Sequence, residues 1–271
     1  MHAIRQFFVV VLITLASVTA ALAQDAVGTI TAGSSEILVI RSGNEQPASV
    51  GTEIQQYDQI YVGEGSEATV TFVDQTVLTL AAQSALTVDE LVYDPAGQDN
   101  SALFTLAGGL MGLVSGDVLK TGDMTVTTPV STIGIRGTAV LINSGTTVTR
   151  QPDGSLEVQT TTETGEIVTL VLSPDGTLGT VTVTNNETGQ VTTLEVFSES
   201  VTTTTVNGGA VQLRSLLSRG ELVAKFAPVL RALQAATGKD LGDPANAEEA
   251  ESLQEALQDL FDTFEDDASP D

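Results

Sequence analysis

The 271-residue sequence has no cysteine, no tryptophan and a single histidine, His2. Without cysteine the chain can form neither disulfide bonds nor thiolate metal sites, and it has no thiol nucleophile. His2 falls in a segment that we expect to be removed, so the mature chain would also lack imidazole. These absences exclude histidine-based triads, cysteine nucleophiles and ordinary zinc sites. We therefore expect no enzymatic activity and no cofactor.

Basic side chains are scarce as well. The chain has 35 acidic residues against 10 lysines and arginines, which gives a formal net charge of −25. Phosphate backbones and anionic lipid surfaces repel such a polyanion, so we expect no nucleic-acid partner. The acidity is compatible with solubility, with a saline habitat or with a basic protein partner, and it leaves loose calcium binding open.

Aromatic residues make up only 4% of the chain, against 41% for all hydrophobic residues. The core must therefore consist mainly of valine, leucine, isoleucine and alanine. A carboxylate pair for glycoside hydrolysis is formally available, but sugar-binding sites usually offer aromatic faces, and few are present here.

The first 23 residues have the pattern of a secretory signal peptide. Arg5 supplies the positive charge, residues 7–18 form an apolar run, and Ala21-Leu22-Ala23 is a cleavage motif of the A-x-A type. No cysteine follows the cleavage site, and no later apolar run reaches the roughly 18 residues needed to span a bilayer. We expect a periplasmic or secreted protein of a Gram-negative bacterium, without a transmembrane span in the mature chain.

Short alternating β-patterns separated by turn residues fill residues 24–143, which we predict to form one β domain. The hairpin turn predicted at Asp74-Gln75 is unusual, because Gln75 suits a positive φ less well than glycine does. This spacing of strands is typical of a β-sandwich, a jelly roll or a short β-coil.

The remaining residues divide into three predicted segments. Residues 144–209 are rich in threonine and contain turn signals such as Asp153-Gly154, which predicts a β-meander. This meander either extends the first sheet or offers edge strands to a partner. Residues 210–239 show an amphipathic helical period, and residues 240–271 predict an acidic helix with a narrow apolar seam. The seam could pack within the chain or mediate self-association.

The stretch Thr128–Ile142 is the most distinctive part of the sequence, because it places Arg136 inside an apolar β-pattern. Read as one continuous strand, it puts Ile133 and Ile135 on one face together with Leu141. We expect both faces to be covered, so that Arg136 requires a carboxylate partner. The candidate partners on nearby turns are Asp58, Asp74, Asp117 and Asp123. Arg136 could tie loops together or form an anion or partner-peptide site.

Several motifs in this order resemble the FecR domain of bacterial envelope proteins. They are Val50-Gly51-Thr52, Tyr57-Asp58-Gln59-Ile60, Ala68 to Asp74, Ser84 to Val88, Tyr93-Asp94-Pro95, Gly109 to Gly116, and Thr128-Pro129 followed by Ile133-Gly134-Ile135-Arg136-Gly137-Thr138. The resemblance covers roughly Val27 to Asn143 and implies an all-β, jelly-roll-like periplasmic module. The sequence departs from the family at Gln75, where glycine is expected. We also expect a cleavable signal in place of the cytoplasmic anti-sigma segment and transmembrane helix of the family.

Three functional hypotheses follow. The first is a non-catalytic exported module that binds a protein or another cell-envelope component, with Ile133 to Thr138, Asp58 and Asp74 as the candidate interaction or structural motif. The second, by analogy with the family, is an accessory to metal-uptake signalling at the cell surface. The third is a structural or surface-assembly protein.

Overall fold

The protein is mainly β in the residues that the computed structural model describes, which are 25–129, 131–136, 139–160, 165–172, 180–186, 189, 191–195, 202–207, 210–214 and 229. The strands in chain order are β1 (Ala26–Gly33), β2 (Ile37–Arg41), β3 (Asn44–Pro47), β4 (Glu53–Gln55), β5 (Gln59–Val62), β6 (Ala68–Phe72), β7 (Val77–Leu80), β8 (Ser84–Val92), β9 (Asn100–Gly108), β10 (Leu110–Val114), β11 (Gly122–Thr127), β12 (Ser131–Arg136), β13 (Ala139–Asn143), β14 (Thr146–Arg150), β15 (Leu156–Thr160), β16 (Gly165–Leu172), β17 (Thr180–Asn185), β18 (Val191–Glu195), β19 (Thr202–Asn207) and β20 (Ala210–Arg214). A one-turn helix, α1 (Val118–Thr121), joins β10 to β11.

These strands form two nine-stranded sheets and one two-stranded sheet. Sheet A has the order β20-β19-β16-β13-β10-β7-β6-β1-β4, and sheet B has the order β18-β17-β12-β11-β9-β8-β5-β2-β3. Sheet C consists of β14 and β15. Among the described strands, β9 and β11 pair in parallel and the other neighbours pair antiparallel. The chain crosses repeatedly between the two large sheets, so both are built from residues distant in sequence.

Sheets A and B share one hydrophobic core. The inward side chains alternate along strands such as β9 and β12, as the sequence pattern predicts. Val70 and Leu78 of sheet A lie in the same buried cluster as Val88 and Val126 of sheet B. The ring centroids of Phe72, from sheet A, and Phe104, from sheet B, are 5.2 Å apart and the rings are tilted by 50°. Burial of branched aliphatic side chains between the sheets is therefore the main stabilising contribution.

The prediction of one continuous strand over Thr128–Ile142 is wrong. Residues 131–136 form β12 in sheet B, whereas residues 139–143 form β13 in sheet A. Ile133 and Ile135 point into the core from one sheet, and Val140 and Ile142 point into it from the other. Because the chain changes sheets between the two strands, the inward positions change from odd to even numbers, which a single strand would not allow.

The threonine-rich region extends both large sheets. Strand β16 pairs with β13 in sheet A, and β17 pairs with β12 in sheet B. Residues 210–214 form β20, paired with β19, so the helical pattern predicted for 210–239 does not start at residue 210. The physical reason is that β19 and β20 form an antiparallel hairpin, in which Asn207 is paired with Ala210. The backbone N–H and C=O groups of β20 find hydrogen-bonding partners in this pairing. The predicted domain boundaries themselves stay predictions.

The hairpin turn between β6 and β7 is confirmed. Gln75 has a φ of 67°, the Gln75 N–H donates to the Phe72 carbonyl oxygen at 3.0 Å, and Thr71 is paired with Val77. The chain thus accepts a non-glycine residue in the left-handed region, which costs of order 1 kcal/mol or more. Compensating contacts are made by the adjacent Asp74, described below.

Two predicted segments fall wholly outside the described residues: the signal peptide, 1–23, and the acidic helix, 240–271. Within the predicted helical segment 210–239, Val229 is helical and fully buried. No helix in the described part of the chain is long and apolar enough to cross a membrane.

Candidate binding site

The predicted Arg136 motif is divided between the core and the surface. Ile133 and Ile135 are buried at 0% and 3% exposure, while Arg136 is exposed at the end of β12, opposite Thr180 of β17. Gly134 lies between them, and a Cβ added there would come within 2.6 Å of the Thr182 hydroxyl. Gly137 and Thr138 lie outside the described residues. The expectation of an enclosed Arg136 is therefore wrong, because the strand ends where the chain leaves sheet B.

Asp58 binds Arg41 rather than Arg136. The Arg41 guanidinium donates from Nε to Oδ1 at 2.8 Å and from Nη2 to Oδ2 at 2.6 Å, and the Gln55 N–H donates to Oδ2 at 2.7 Å. The Asp58 side chain is 1% exposed and that of Arg41 is 31% exposed. The hydrogen bond to Asp58 is the main cause that raises the pKa of Arg41. This bidentate pair links the end of β2 to the turn between β4 and β5.

Asp74 is fully buried and accepts three hydrogen bonds from uncharged groups. The Thr76 N–H donates to Oδ1 at 3.1 Å, the Thr76 hydroxyl to Oδ2 at 2.6 Å, and the Val118 N–H to Oδ2 at 3.3 Å. The Asp117 N–H donates to the Asp74 carbonyl oxygen at 2.7 Å. Asp74 therefore fixes the β6–β7 turn against the start of α1, and the structure gives it a structural role at that position.

A hairpin formed by β14 and β15 packs on the outer face of sheet B. Val148 is 1% exposed and packs with Tyr61 and Ala85. The Val148 N–H donates to the Gln83 carbonyl oxygen at 2.8 Å, and the Arg150 N–H donates to the Tyr61 hydroxyl at 3.2 Å. Sequence reasoning placed the residues of β14 and β15 in the predicted β-meander and missed that they form a separate hairpin.

Glycine makes this close packing possible. A Cβ added at Gly108 would lie 2.6 Å from Val148 Cγ2 and 2.9 Å from Thr146 Oγ1. Gly109, with a φ of 97°, donates its N–H to the Thr146 carbonyl oxygen at 2.7 Å. The Gly108-Gly109 pair is the sequence signal that a second layer approaches sheet B here.

An open groove of about 340 Å³ lies between this hairpin and the outer face of sheet B. Its lining residues are mostly apolar and come from β2, β5, β8 and β9 below, from the hairpin above, and from the β2–β3 turn and β3 at the side. The lining residues are Ile40, Gly43, Glu45, Gln59, Ala85, Ala107, Val148, Gly154, Leu156 and Val158. Leu156 is partly exposed and Val158 is 48% exposed, so apolar surface remains accessible to a ligand.

The rim of the groove carries acidic side chains and one arginine. Arg150 Nη2 and Glu45 Oε2 are 2.5 Å apart, and this ion pair links the hairpin to β3. The interaction with Glu45 raises the pKa of Arg150. Hydrogen bonds from Ser155 lower the pKa of Asp153. Glu157 accepts a hydrogen bond from the Gln151 amide at 2.5 Å.

Tyr61 forms part of the base under the hairpin. Burial raises the pKa of its hydroxyl, and the hydrogen bond from the Arg150 N–H partly opposes this shift. The hydroxyl is thus held neutral as an acceptor for the hairpin backbone. In the described part of the chain, no three acidic or histidine side chains lie together as a metal-binding group. The arrangement offers an apolar channel, strand edges and acidic charge, which are features suited to binding a chain segment.

The comparisons with known proteins give a family match and a distant structural similarity. No curated protein matches the chain. Two crystal structures titled "putative anti-sigma factor", from Parabacteroides distasonis ATCC 8503, are each 16% identical, covering 67% of this chain and 75% of the other, with a TM-score of 0.40. This TM-score does not establish a common fold.

The family model described as FecR protein matches residues 58–161. The match starts at Asp58 and extends one residue beyond the end of β15, so it includes the hairpin and most of the groove. The resemblance indicated by the sequence motifs is confirmed over residues 58–143, and the match continues to residue 161. Residues 58–161 of the chain are therefore similar to FecR proteins.

Proposed function

We propose that this chain is a non-catalytic, exported FecR-domain protein that binds another protein or cell-envelope component. The observation that carries the proposal is the open apolar groove beneath the β14–β15 hairpin, which lies mostly within the FecR match. A groove of this size is at the small end of ligand-binding sites, which span about 300–1,000 Å³. Its accessible apolar surface would be buried when a partner binds.

The composition supports a binding role over a catalytic one. Export with removal of the first 23 residues would leave a chain without histidine or cysteine. The buried carboxylates that could serve in catalysis, Asp58 and Asp74, are engaged by Arg41 and by the Thr76–Val118 region respectively. A catalytic acid or base must instead be accessible to substrate.

We also infer that sheets A and B form the two layers of a jelly-roll-like sandwich. The shared core and the contact between the Phe72 and Phe104 rings support the two layers. In this arrangement the hairpin is a third layer on the outside of sheet B, as the position of Val148 over Ala85 indicates. The groove is then a surface feature, which a partner can reach without opening the core.

The proposal is tested with the mature chain, residues 24–271, immobilised and exposed to envelope extract of the source bacterium. We expect a partner whose capture saturates and is competed by the free mature chain. Analytical ultracentrifugation of the same sample separates partner binding from self-assembly, because a structural or surface-assembly protein would form polymers alone. Absence of any competed partner, together with hydrolysis of cell-wall glycans, would overturn the proposal.

The FecR match favours a second candidate, a component of cell-surface signalling. This candidate predicts that deletion of the gene changes the transcription of a metal-uptake operon. It also predicts a sigma-factor gene and an outer-membrane receptor gene alongside. An unchanged transcriptome under metal limitation would exclude it, while leaving a non-signalling binding role intact.

A further inference from the structure

In the described part of the chain, no strand pairs with the outer edge of β15. Sheet C contains β14 and β15 alone, so within the described residues β15 has a strand neighbour on one side only. Arg150 is paired with Leu156 and Val148 with Val158, which places Leu156 and Val158 on the face of the hairpin that is turned towards sheet B. The unpaired edge therefore borders an apolar channel, and such edges accept an additional strand.

The channel lies under β15 rather than under β14. Strand β14 packs against β8 and β9, where Val148 closes the space. The outer part of the floor is supplied by Ile40 of β2 and Gln59 of β5. A strand added to β15 would thus direct alternate side chains into the channel, towards Ile40 and Leu156, and the others towards solvent.

The charges around the channel favour a cationic occupant. Glu45 lines the channel and is paired with Arg150, while Asp153 in the hairpin turn and Glu157 on the solvent face of β15 add negative charge beside it. Glu36 also raises the pKa of Arg150, so a further carboxylate acts on the same site. The chain as a whole carries a formal charge of −25. An acidic segment would be repelled, whereas lysine or arginine side chains would be attracted.

Building on the proposed function, we propose that the groove binds an extended, basic segment of a partner protein, which pairs with the free edge of β15. Its apolar side chains occupy the channel between Leu156, Val158 and the sheet B floor. Its alternate lysine or arginine side chains face the acidic rim. Backbone hydrogen bonds supply affinity without sequence readout, while the alternation of apolar and basic residues supplies specificity.

The proposal is tested with synthetic peptides and the full mature chain. The first peptide has about seven residues, enough for one strand, with valine alternating with lysine. The second replaces each lysine with glutamate, and the third carries methyl groups on alternate backbone nitrogens of the lysine peptide. Fluorescence polarisation should show that the first peptide binds at least about 10-fold more tightly than either of the others, a difference of about 1.4 kcal/mol.

Two variants of the protein identify the binding surface. Val158→Lys introduces a positive charge beside the channel at a side chain that is 48% exposed, so the fold should tolerate it. Val191→Lys is the matched control, since Val191 is a 60% exposed valine on β18, the edge strand of sheet B. Both add the same charge to an acidic protein. We expect Val158→Lys to weaken binding of the lysine peptide about 10-fold or more and Val191→Lys to change it less than about 2-fold.

Equal losses in the two variants would show general charge attraction and would overturn the proposal. Equal binding of the lysine and glutamate peptides, or undiminished binding of the methylated peptide, would overturn it as well. The outcome is separable from the proposed function, because a natural envelope partner can be measured with the same variants. If Val158→Lys binds that partner as tightly as the unmodified chain does, the protein is a binding module but its site lies elsewhere.

Discussion

Removal of the Arg41 guanidinium should destabilise the protein because it leaves the buried carboxylate of Asp58 without its cationic partner. In Arg41→Leu, Asp58 loses two charge-assisted hydrogen bonds, at 2.8 and 2.6 Å, and keeps the one from the Gln55 N–H. The Glu53 carbonyl oxygen also loses the Nη2 hydrogen bond at 3.0 Å. Breaking a buried pair by removing one partner typically costs 3–5 kcal/mol.

The expected cost lies near the lower end, about 3 kcal/mol, because water can reach a site where the Arg41 side chain is 31% exposed. For domains of 150–250 residues, 1 kcal/mol corresponds to about 2–4 °C, so the Tm should fall by about 6–12 °C. Far-UV circular dichroism during thermal and urea unfolding measures both quantities, and it suits a chain without tryptophan.

A double-mutant cycle separates the ion pair from other effects of the leucine. The double variant Arg41→Leu/Asp58→Asn should lose about 2 kcal/mol less free energy of unfolding than the sum of the losses in the single variants, because the second change removes the unpaired buried charge. Glu45→Gln is the exposed control: its pair with Arg150 has side chains that are 36% and 30% exposed, so the change should lower the stability much less than Arg41→Leu does. A coupling below about 0.5 kcal/mol would refute the reasoning.

Three further predictions concern the core, a turn and the hairpin base. Phe104→Ala should cost about 3–5 kcal/mol in urea unfolding, because it empties the contact between the sheets, and a loss below about 1 kcal/mol would contradict that packing. Gly116→Ala should lower the Tm, since the new Cβ would overlap the backbone carbonyl oxygen of Asp74; an unchanged Tm would show that the turn can move. Burial raises the pKa of Tyr61, so its stabilising contribution is complete below the unfolded pKa of about 10 and is lost as the pH rises through the higher folded value. The free energy of unfolding should accordingly fall less steeply above about pH 10 in Tyr61→Phe than in the unmodified chain. The control Tyr57→Phe changes a side chain that is 67% exposed and should keep the steeper slope. Identical slopes in the two variants would contradict the assignment to Tyr61.

Local pattern predicts most of the β-structure because a half-buried strand needs alternating apolar residues wherever it lies. It also predicts the Asp74-Gln75 turn, which forms despite the positive φ of Gln75. The buried hydrogen bonds from Thr76 and Val118 to Asp74 make that turn tolerable. The Val118 contact crosses 44 positions in the sequence, so no local pattern could supply it.

The partner of a charged residue depends on which strands become neighbours, and this is where the sequence reasoning failed. Asp58 was a candidate partner for Arg136, yet it meets Arg41 because β2 and β5 are adjacent in sheet B. Arg136 lies on β12, on the far side of β11, β9 and β8 from β5 in the same sheet. An apolar run containing an arginine is thus compatible with two strands in different sheets as well as with one.

The β14–β15 hairpin illustrates a related limit. Its alternating threonines and its Asp153-Gly154 turn resemble those of the strands that follow, so the pattern predicts strands but not the sheet that they join. The packing of Val148 on Tyr61 and Ala85 decides that the hairpin forms a separate layer. The close approach at Gly108 permits this packing, and a glycine pair in the sequence has several other uses.

Hydrogen exchange of the β15 amides is the most direct measurement of the central claim, that a partner strand pairs with this edge. The mature chain is compared by mass spectrometry or NMR with and without a saturating amount of the valine–lysine peptide. We predict that exchange within Leu156–Thr160 slows about 10-fold or more, while the edge strand Val191–Glu195 is unchanged. Unaltered exchange in β15, or equal protection of both edges, would contradict the account.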